Sequence, residues 1–395
     1  MKKLKVLLLC EDFLPIYGGV SQVISNLAYF LQFYNFADVT VACVDYNKEQ
    51  NKNYTDSDKI YKVVRCKGKY NKFTTNMQAN IKGDKKFRSY LENEKFDIIH
   101  CHFPTKMYFY GLKLGKRHNI PVVITCHGLF YSDAYSLIHS KLVSKIFTKL
   151  MVNRLNKANK IFVVTNFCKN FLLNYGLKQD SLVIYNAIEN TLGLENKFDI
   201  RKEYNIGNSF LFTSIGRLVK LKNNQINILA LNKLVKENEN VKCLIVGDGS
   251  EYKNLKKLVN KYNLKDYCIF TGAIKNRDKL NAIYSASNLI SFPSTGDSAG
   301  LIHIEASKFN KPTIAIENTA VSEKIKDGFN GFVVKNNYED FANKIKDIIK
   351  SNNLEEIGKN AFNTLYRTYE DKNVIKETYD AYLKVIEEYK KNNKK

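Results

Sequence analysis

The sequence predicts an α/β protein of two doubly wound domains, and three observations lead to that class. Short, continuously apolar runs such as KVLLLC at Lys5–Cys10 and PVVITC at Pro121–Cys126 read as parallel strands buried on both faces. Such runs alternate with amphipathic helical stretches along nearly the whole chain. The alternation breaks once, over the polar span Glu189–Phe198, and restarts at Phe210–Ile215. A chain of 395 residues is too long for one core and suits two domains of ordinary size. The expected boundaries are 1–188 for the first domain, 189–198 for the linker and 199–370 for the second domain. Residues 371–395 are expected to form a C-terminal helix and basic tail that pack back toward the first domain, with the tail frayed.

Composition sets further bounds. Apolar content of 44% with 26% charged residues is globular, and no apolar run approaches the roughly 20 residues of a membrane span. The start, MKKLKVLLLCEDFLP, places lysines before an apolar run, as a signal peptide does. That run stops at Cys10, meets Glu11 and Asp12 and has no small-residue cleavage site after it, so it reads as a first strand. Eight cysteines are scattered without a CxxC pair, the pattern of reduced, buried thiols in a cytosolic protein. Against 39 Asp and Glu stand 62 Lys and Arg, a net charge of +23 that favours polyanions, an anionic membrane surface or phosphorylated substrates.

Taken in order, strand Lys5–Cys10 runs through Gly18-Gly19 into an amphipathic helix over Ser21–Phe33. A double glycine between first strand and first helix lets backbone approach a ligand closely, although the GxGxxG dinucleotide pattern is absent. Strands follow at Asp38–Val44 and Ile60–Cys66, separated by the polar surface loop Asn47–Lys59. The strand Asp97–His102 ends in His100 and His102, and Pro121–Cys126 ends in His127-Gly128. No carboxylate or thiolate pattern completes a metal site around these three histidines. His127 is therefore read as a substrate contact at a strand's carboxyl end, and His100 and His102 as packing residues.

The stretch 137–160 is a basic amphipathic helix. Leu142, Val143, Ile146, Phe147, Leu150 and Met151 recur at helical spacing, with Lys141, Lys145 and Lys149 along the edge of that face. The commoner role of such a face is core packing with the lysines in water; the alternative is an anionic membrane surface. Strands at Ile161–Thr165 and Leu182–Tyr185 complete the first set.

In the second set, Phe210–Ile215 ends in Gly216-Arg217-Leu218, with Lys220 and Lys222 just before a helix over Asn224–Lys236. Arg217 offers a planar fork for two phosphate oxygens and Lys222 a point charge beside it. Strands at Val241–Val246, Cys268–Phe270, Asn288–Phe292, Pro312–Ile316 and Phe332–Val334 follow, with helices over 277–285, 338–350 and much of 354–389. The densest stretch is Ser291–Ala306, SFPSTGDSAGLIHIEA. There a strand feeds a Gly-rich turn into a helix N-terminus, whose free N–H groups and dipole favour an anion. Asp297 and Glu305, eight residues apart, are poor phosphate ligands and good acceptors for sugar hydroxyls. The bland alternative is a capping Asp and a solvated Glu.

These residues, in this order, resemble family 4 of the retaining glycosyltransferases over nearly the whole chain. The resemblance rests on Gly18-Gly19, His127-Gly128, Gly216-Arg217-Leu218 with Lys222, and Asp297 to Glu305 with Gly300. Lys311-Pro312 and Asp327-Gly328-Phe329-Asn330-Gly331 follow them. It implies the GT-B architecture, two facing Rossmann-like domains with an interdomain cleft. It further implies that Arg217 and Lys222 neutralise the diphosphate of a nucleotide-sugar, which Gly18, Gly19 and Gly216 let backbone approach. His127 would hydrogen-bond the donor sugar. Asp297 stands where the family has the first glutamate of its E-x7-E motif, for sugar hydroxyls, and Glu305 matches the second, for the ribose. The turn Gly300-Leu301-Ile302 would supply amides to sugar and phosphate. Two departures stand out: Asp297 is one methylene shorter than the usual glutamate, and Asn223 replaces a glycine.

The expected activity is metal-independent retaining transfer of a hexose or N-acetylhexosamine, from a UDP-sugar in preference to a GDP-sugar. No catalytic base, metal or cofactor is expected. The expected acceptor is a lipid-linked glycan or glycolipid of a cell-surface polysaccharide, such as capsule or lipopolysaccharide, at the inner face of the cytoplasmic membrane. Acceptor choice is expected in first-domain loops such as Phe130–His139. Two other classes compete: another GT-B enzyme (epimerase or phosphorylase) and a non-catalytic basic binding protein. The first lacks a recognisable pyridoxal-phosphate lysine site for phosphorolysis. The second would need exposed aromatics interleaved with basic residues for nucleic acid.

Overall fold

Among the described residues fourteen strands alternate with helices, most of them in the order the apolar runs set out. A computed structural model describes residues 2–16, 18–45, 55–71, 76–188 and 198–393. All but the last residue of the linker expected over 189–198 and most of the loop 47–59 lie outside the described residues, as do the last two lysines of the tail. The chain divides into two compact units, residues 1–189 with 370–395, and residues 190–369.

The first unit holds β1 (Leu4–Leu9), β2 (Ala37–Asp45), β3 (Lys62–Asn71), β4 (Asn76–Ala79), β5 (Ile98–Cys101), β6 (Val122–Cys126), β7 (Lys160–Val163) and β8 (Ser181–Val183). Among the described residues these form one sheet in the order β4-β3-β2-β1-β5-β6-β7-β8. All pairs are parallel except β3 with β4, an antiparallel edge for which the apolar pattern gave no sign. The central strands are buried on both faces, β6 at every residue, which is why they read as unbroken apolar runs. Helices absent from the sequence reading cover the sheet at Lys85–Asn93, Lys106–His118 and Asn166–Asn174. Phe130–Ile138, read as a loop, is also a helix.

The helix expected over 137–160 is two elements. The first ends at Ile138 with His139 in the left-handed region; Ser140 then caps a second helix, Lys141–Leu155, by accepting from the Val143 N–H. Its burial reverses the core-packing expectation. Ser144, Thr148, Met151, Val152 and Leu155 face inward, while Leu142, Val143, Ile146, Phe147 and Leu150 are exposed, Leu142 by 68%. The inward hydroxyls are satisfied within the helix: Ser144 donates to the Ser140 carbonyl and Thr148 to the Ser144 carbonyl, both at 2.7 Å.

The C-terminal helix, Asp371–Asn392, belongs to the first unit. It buries Val374, Ile375, Tyr379 and Tyr382, side chains worth roughly 1.5–3 kcal/mol each when fully covered. Tyr379 donates to the Lys2 carbonyl at 2.6 Å and stacks on Phe36, and Tyr34 donates to Asp371 at 2.9 Å.

The second unit holds β9 (Phe210–Ile215), β10 (Val241–Val246), β11 (Cys268–Gly272), β12 (Leu289–Phe292), β13 (Thr313–Ile316) and β14 (Phe332–Val334). They form a wholly parallel sheet in the order β11-β10-β9-β12-β13-β14, the doubly wound order of nucleotide-binding folds. Its cores lie on both faces, one around Phe212, Leu231 and Phe341 and the other around Leu211, Leu244 and Tyr284.

Candidate active site

Each sheet reverses its strand order at one point, between β1 and β5 in the first unit and between β9 and β12 in the second. In open parallel sheets the crevice beyond the strands' carboxyl ends at this point takes the ligand. Gly18 and Gly19 follow β1, at the N-cap and first residue of the helix Gly19–Phe33. His127 follows β6. In the second unit Gly216 and Arg217 follow β9, and Lys222 ends a single 3-10 turn, Lys220–Lys222. Asp297, Gly300 and Leu301 lie between β12 and the short helix Ile302–Ser307, which carries Glu305 in its first turn.

Local backbone explains why small residues stand here. The turns after β9 and β10 are pressed together. A Cβ on Gly247 would sit 1.8 Å from the Gly216 carbonyl oxygen, and Gly247 has φ +139. Gly300 has φ +59, and a Cβ there would meet the Val321 side chain at 2.3 Å. His303, buried, donates from Nδ1 to the Gly300 carbonyl and so ties this turn to the helix. Asn223 adopts φ +53. That left-handed conformation is free for glycine and tolerated by asparagine, which accounts for the exchange of one for the other.

Two of the predicted groups meet. Lys222 Nζ donates to both Asp297 carboxylate oxygens, at 2.7 and 2.8 Å. Both side chains are largely covered, and Nζ also lies 5.1 Å from the Phe292 ring centroid. Arg217 is exposed. Glu305 is held instead by residues that sequence reasoning missed. Arg277 donates from Nη2 to Oε1 at 3.0 Å, and the buried Tyr284 hydroxyl donates to Oε2 at 2.6 Å. Burial and the neighbouring carboxylate push the Tyr284 phenol well above its ordinary value, so it stays a donor. Each Glu305 oxygen retains a lone pair for a further hydroxyl. The side chain is thus oriented and still able to accept. Nothing in the sequence marked Arg277 or Tyr284, whose places in a helix opening and a helix face look ordinary.

In the first unit His100, His102 and His127 lie together, His100 packed against His102 and His102 bonded to His127. His100 is held on both nitrogens, Nδ1 to the Tyr382 hydroxyl at 2.6 Å and Nε2 to Thr125 Oγ1 at 2.7 Å. His102 Nδ1 lies 2.9 Å from His127 Nε2, with the two rings stacked. Burial lowers all three, His100 to about 3 and His127 to about 4, so each imidazole is neutral at physiological pH.

Residues 17–191 match the model described as Glycosyltransferase Family 4, and residues 196–364 match glycosyl transferases group 1, so that together they take in most of the chain. An uncharacterized glycosyltransferase of Methanocaldococcus jannaschii is 28% identical over 348 residues, covering 88% of this chain and 89% of its own. The Escherichia coli UDP-Gal:alpha-D-GlcNAc-diphosphoundecaprenol alpha-1,3-galactosyltransferase is 26% identical over 310 residues, 75% of this chain and 77% of its own. The crystal structure of Anabaena HepE in complex with UDP and glucose superposes with a TM-score of 0.75 at 18% identity, covering 96% of this chain and 99% of that one.

Proposed function

The chain belongs to glycosyltransferase family 4 and has the GT-B fold, and from that premise we propose a retaining, metal-independent transfer of a hexose or N-acetylhexosamine from a nucleotide-sugar. The observation that carries this reading is the cluster at the strand ends of the second unit. There Lys222 is bonded to Asp297, Glu305 is oriented by Arg277 and Tyr284, and Arg217 is exposed just past the end of β9, the strand beside β12. Arg217 and Lys222 take the diphosphate and stabilise its charge as it leaves. Glu305 accepts from the ribose hydroxyls, Asp297 from the donor sugar, and the Gly300-Leu301-Ile302 amides meet sugar and phosphate. In the first unit His127 hydrogen-bonds the donor sugar, and Gly18 and Gly19 let backbone reach the diphosphate. The acceptor oxygen attacks the anomeric carbon on the face that the nucleotide leaves. The carbon–oxygen bond to phosphate breaks and the acceptor's proton passes to a phosphate oxygen, so no side chain is needed as base. Two cations in place of a divalent ion supply the positive charge.

The donor is a UDP-sugar in preference to a GDP-sugar, as in the Anabaena neighbour with UDP and glucose. The acceptor is a hydroxyl of a lipid-linked glycan or glycolipid, the class named by the Escherichia coli relative's diphosphoundecaprenol. The helix Lys141–Leu155 supports that choice. It turns five apolar side chains outward beside Lys141, Lys145 and Lys149, the construction of a helix lying in the surface of an anionic membrane. Among the described residues no helix is long and apolar enough to cross one. Its partner is then the cytoplasmic-face membrane surface, and no nucleic acid is involved.

Thermal-shift and donor-hydrolysis measurements against UDP-, GDP- and ADP-sugars, with and without EDTA, test the donor reading. Stabilisation by a UDP-sugar, insensitive to EDTA and lost in Arg217→Ala and Glu305→Ala, is expected. No response to any nucleotide overturns it and returns a binding protein to first place.

A further inference from the structure

We propose that the first unit holds a groove for the lipid end of the acceptor, an apolar chain joined to a diphosphate. This rests on the reading of the acceptor as lipid-linked and gives that lipid a place. The groove is a cavity of about 390 Å³, within the range of about 300–1,000 Å³ usual for ligand pockets. One wall is a single face of the helix Lys106–His118. Lys106, Phe109, Tyr110 and Lys113 stand there at the i, i+3, i+4, i+7 spacing that brings side chains to one side. The facing wall is Ala79, at the end of β4, with Ile81 and Lys82 of the 3-10 turn Ile81–Gly83.

Chemistry and position select the occupant. Between the lysines the lining is mostly carbon, a surface that gains by covering a hydrocarbon chain and offers a sugar few partners. No acidic residue lines it, and the exposed Lys82, Lys106 and Lys113 make no ion pair among the described residues. Lys106 and Lys113 stand about 10 Å apart along the helix, with Lys82 on the other wall. That charge matches a diphosphate, whereas a neutral glycolipid head leaves it unanswered. The last β2–β3 pair is Asp45 with Lys67, and Ala79 pairs with Gly68, one step beyond it. Lys106 opens the helix that follows β5. Both walls thus stand at the carboxyl edge of the sheet, where folds of this kind take ligands. Phe109 also carries Arg154 and Lys157 over its ring, at 5.6 and 5.5 Å. Arg154 belongs to the helix Lys141–Leu155, so the groove lies beside the helix assigned to the membrane surface. A lipid held at that surface has the groove next to it.

Farnesyl diphosphate, kept below the concentration at which it aggregates, is the probe for the whole chain. The wild type is expected to bind it in the presence of excess UDP, which fills the donor site. Geranyl diphosphate, with a shorter chain, should bind about ten-fold more weakly or worse, since each methylene withdrawn from water adds affinity. Inorganic diphosphate and farnesol, head and chain alone, should each lose about ten-fold or more. Lys106→Gln with Lys113→Gln, both on the surface, is expected to weaken farnesyl diphosphate about ten-fold without moving the thermal midpoint. A benzophenone-bearing prenyl diphosphate should crosslink to 79–82 and 106–113. Labelling confined to 141–155, binding abolished by UDP, or equal affinity for farnesyl and inorganic diphosphate overturns the inference. The wild-type results decide even where the double variant fails to fold. If a UDP-sugar stabilises the protein and farnesyl diphosphate does not bind, the groove falls and the transferase reading stands. If farnesyl diphosphate labels the groove and no nucleotide-sugar binds, the lipid site stands and its acceptor role falls with the transferase reading.

Discussion

At the scale of single residues, the site depends on groups that hold other groups. Glu305 accepts from Arg277 and Tyr284 before it meets any ligand, so its orientation is set in advance and costs little on binding. Tyr284→Phe removes one hydrogen bond to a carboxylate, worth roughly 1.5–3 kcal/mol when one partner is charged. The expected outcome is a rise of at least ten-fold in donor KM with a smaller change in kcat, read by steady-state kinetics. Arg277→Lys should behave like a loss rather than a conservative change, since an ammonium does not reproduce a directed guanidinium contact. Gly300→Ala tests the turn: a methyl group 2.3 Å from Val321 at φ +59 is expected to cost about 1–3 kcal/mol in urea unfolding.

At the scale of elements, the helix Lys141–Leu155 separates two roles that sequence periodicity confuses. A core-packing helix loses stability when its apolar face is made polar; this one should not. Exchange of Leu142 and Ile146 for serine, 68% and 53% exposed, is expected to leave the thermal midpoint nearly unchanged, as exposed substitutions usually do within about 0.5 kcal/mol. The same exchange should abolish co-sedimentation with phosphatidylglycerol vesicles at low salt. Thr148→Leu, on the buried face, should instead destabilise by about 1–3 kcal/mol through overpacking and leave vesicle binding intact. Wild-type protein that ignores anionic vesicles at low salt would sink the membrane part of the proposal.

At the scale of the whole molecule, pH acts through the buried imidazoles. Burial holds His100 and His303 at about 3 and His127 at about 4. In the unfolded chain each titrates near 6.5. The unfolded state therefore binds more protons below pH 6.5, so stability is full above that value and falls as pH drops toward 4 and 3. Each fully buried histidine contributes a slope of about 1.4 kcal/mol per pH unit in that window. Urea midpoints at pH 7.5 and pH 5 should differ by several kcal/mol in derived stability, with most of the loss recovered on returning to neutral pH. Equal midpoints would mean the imidazoles are not held neutral. Catalysis, in contrast, should show no ionisation of His127 between pH 6 and 8.

What the sequence determined by itself follows from local chemistry. Strands buried on both faces must be continuously apolar, so KVLLLC and PVVITC could be read as parallel strands without any partner in view. The turns at Gly216 and Gly300 had to carry glycine, and the order of those turns and their charges carried the family. Tertiary structure decided the rest, because periodicity reveals that a helix has two faces and not which one meets the protein. Leu142, Ile146 and Leu150 were visible as a face, but only the fold turned them outward and buried Ser144 and Thr148. Pairings across long stretches of chain were equally hidden. Lys222 and Asp297 are 75 residues apart, Arg277 and Glu305 28, and His100 and Tyr382 282. Each of those bonds exists because sheet order places strand ends and helices side by side, a property of the folded topology that no local pattern encodes.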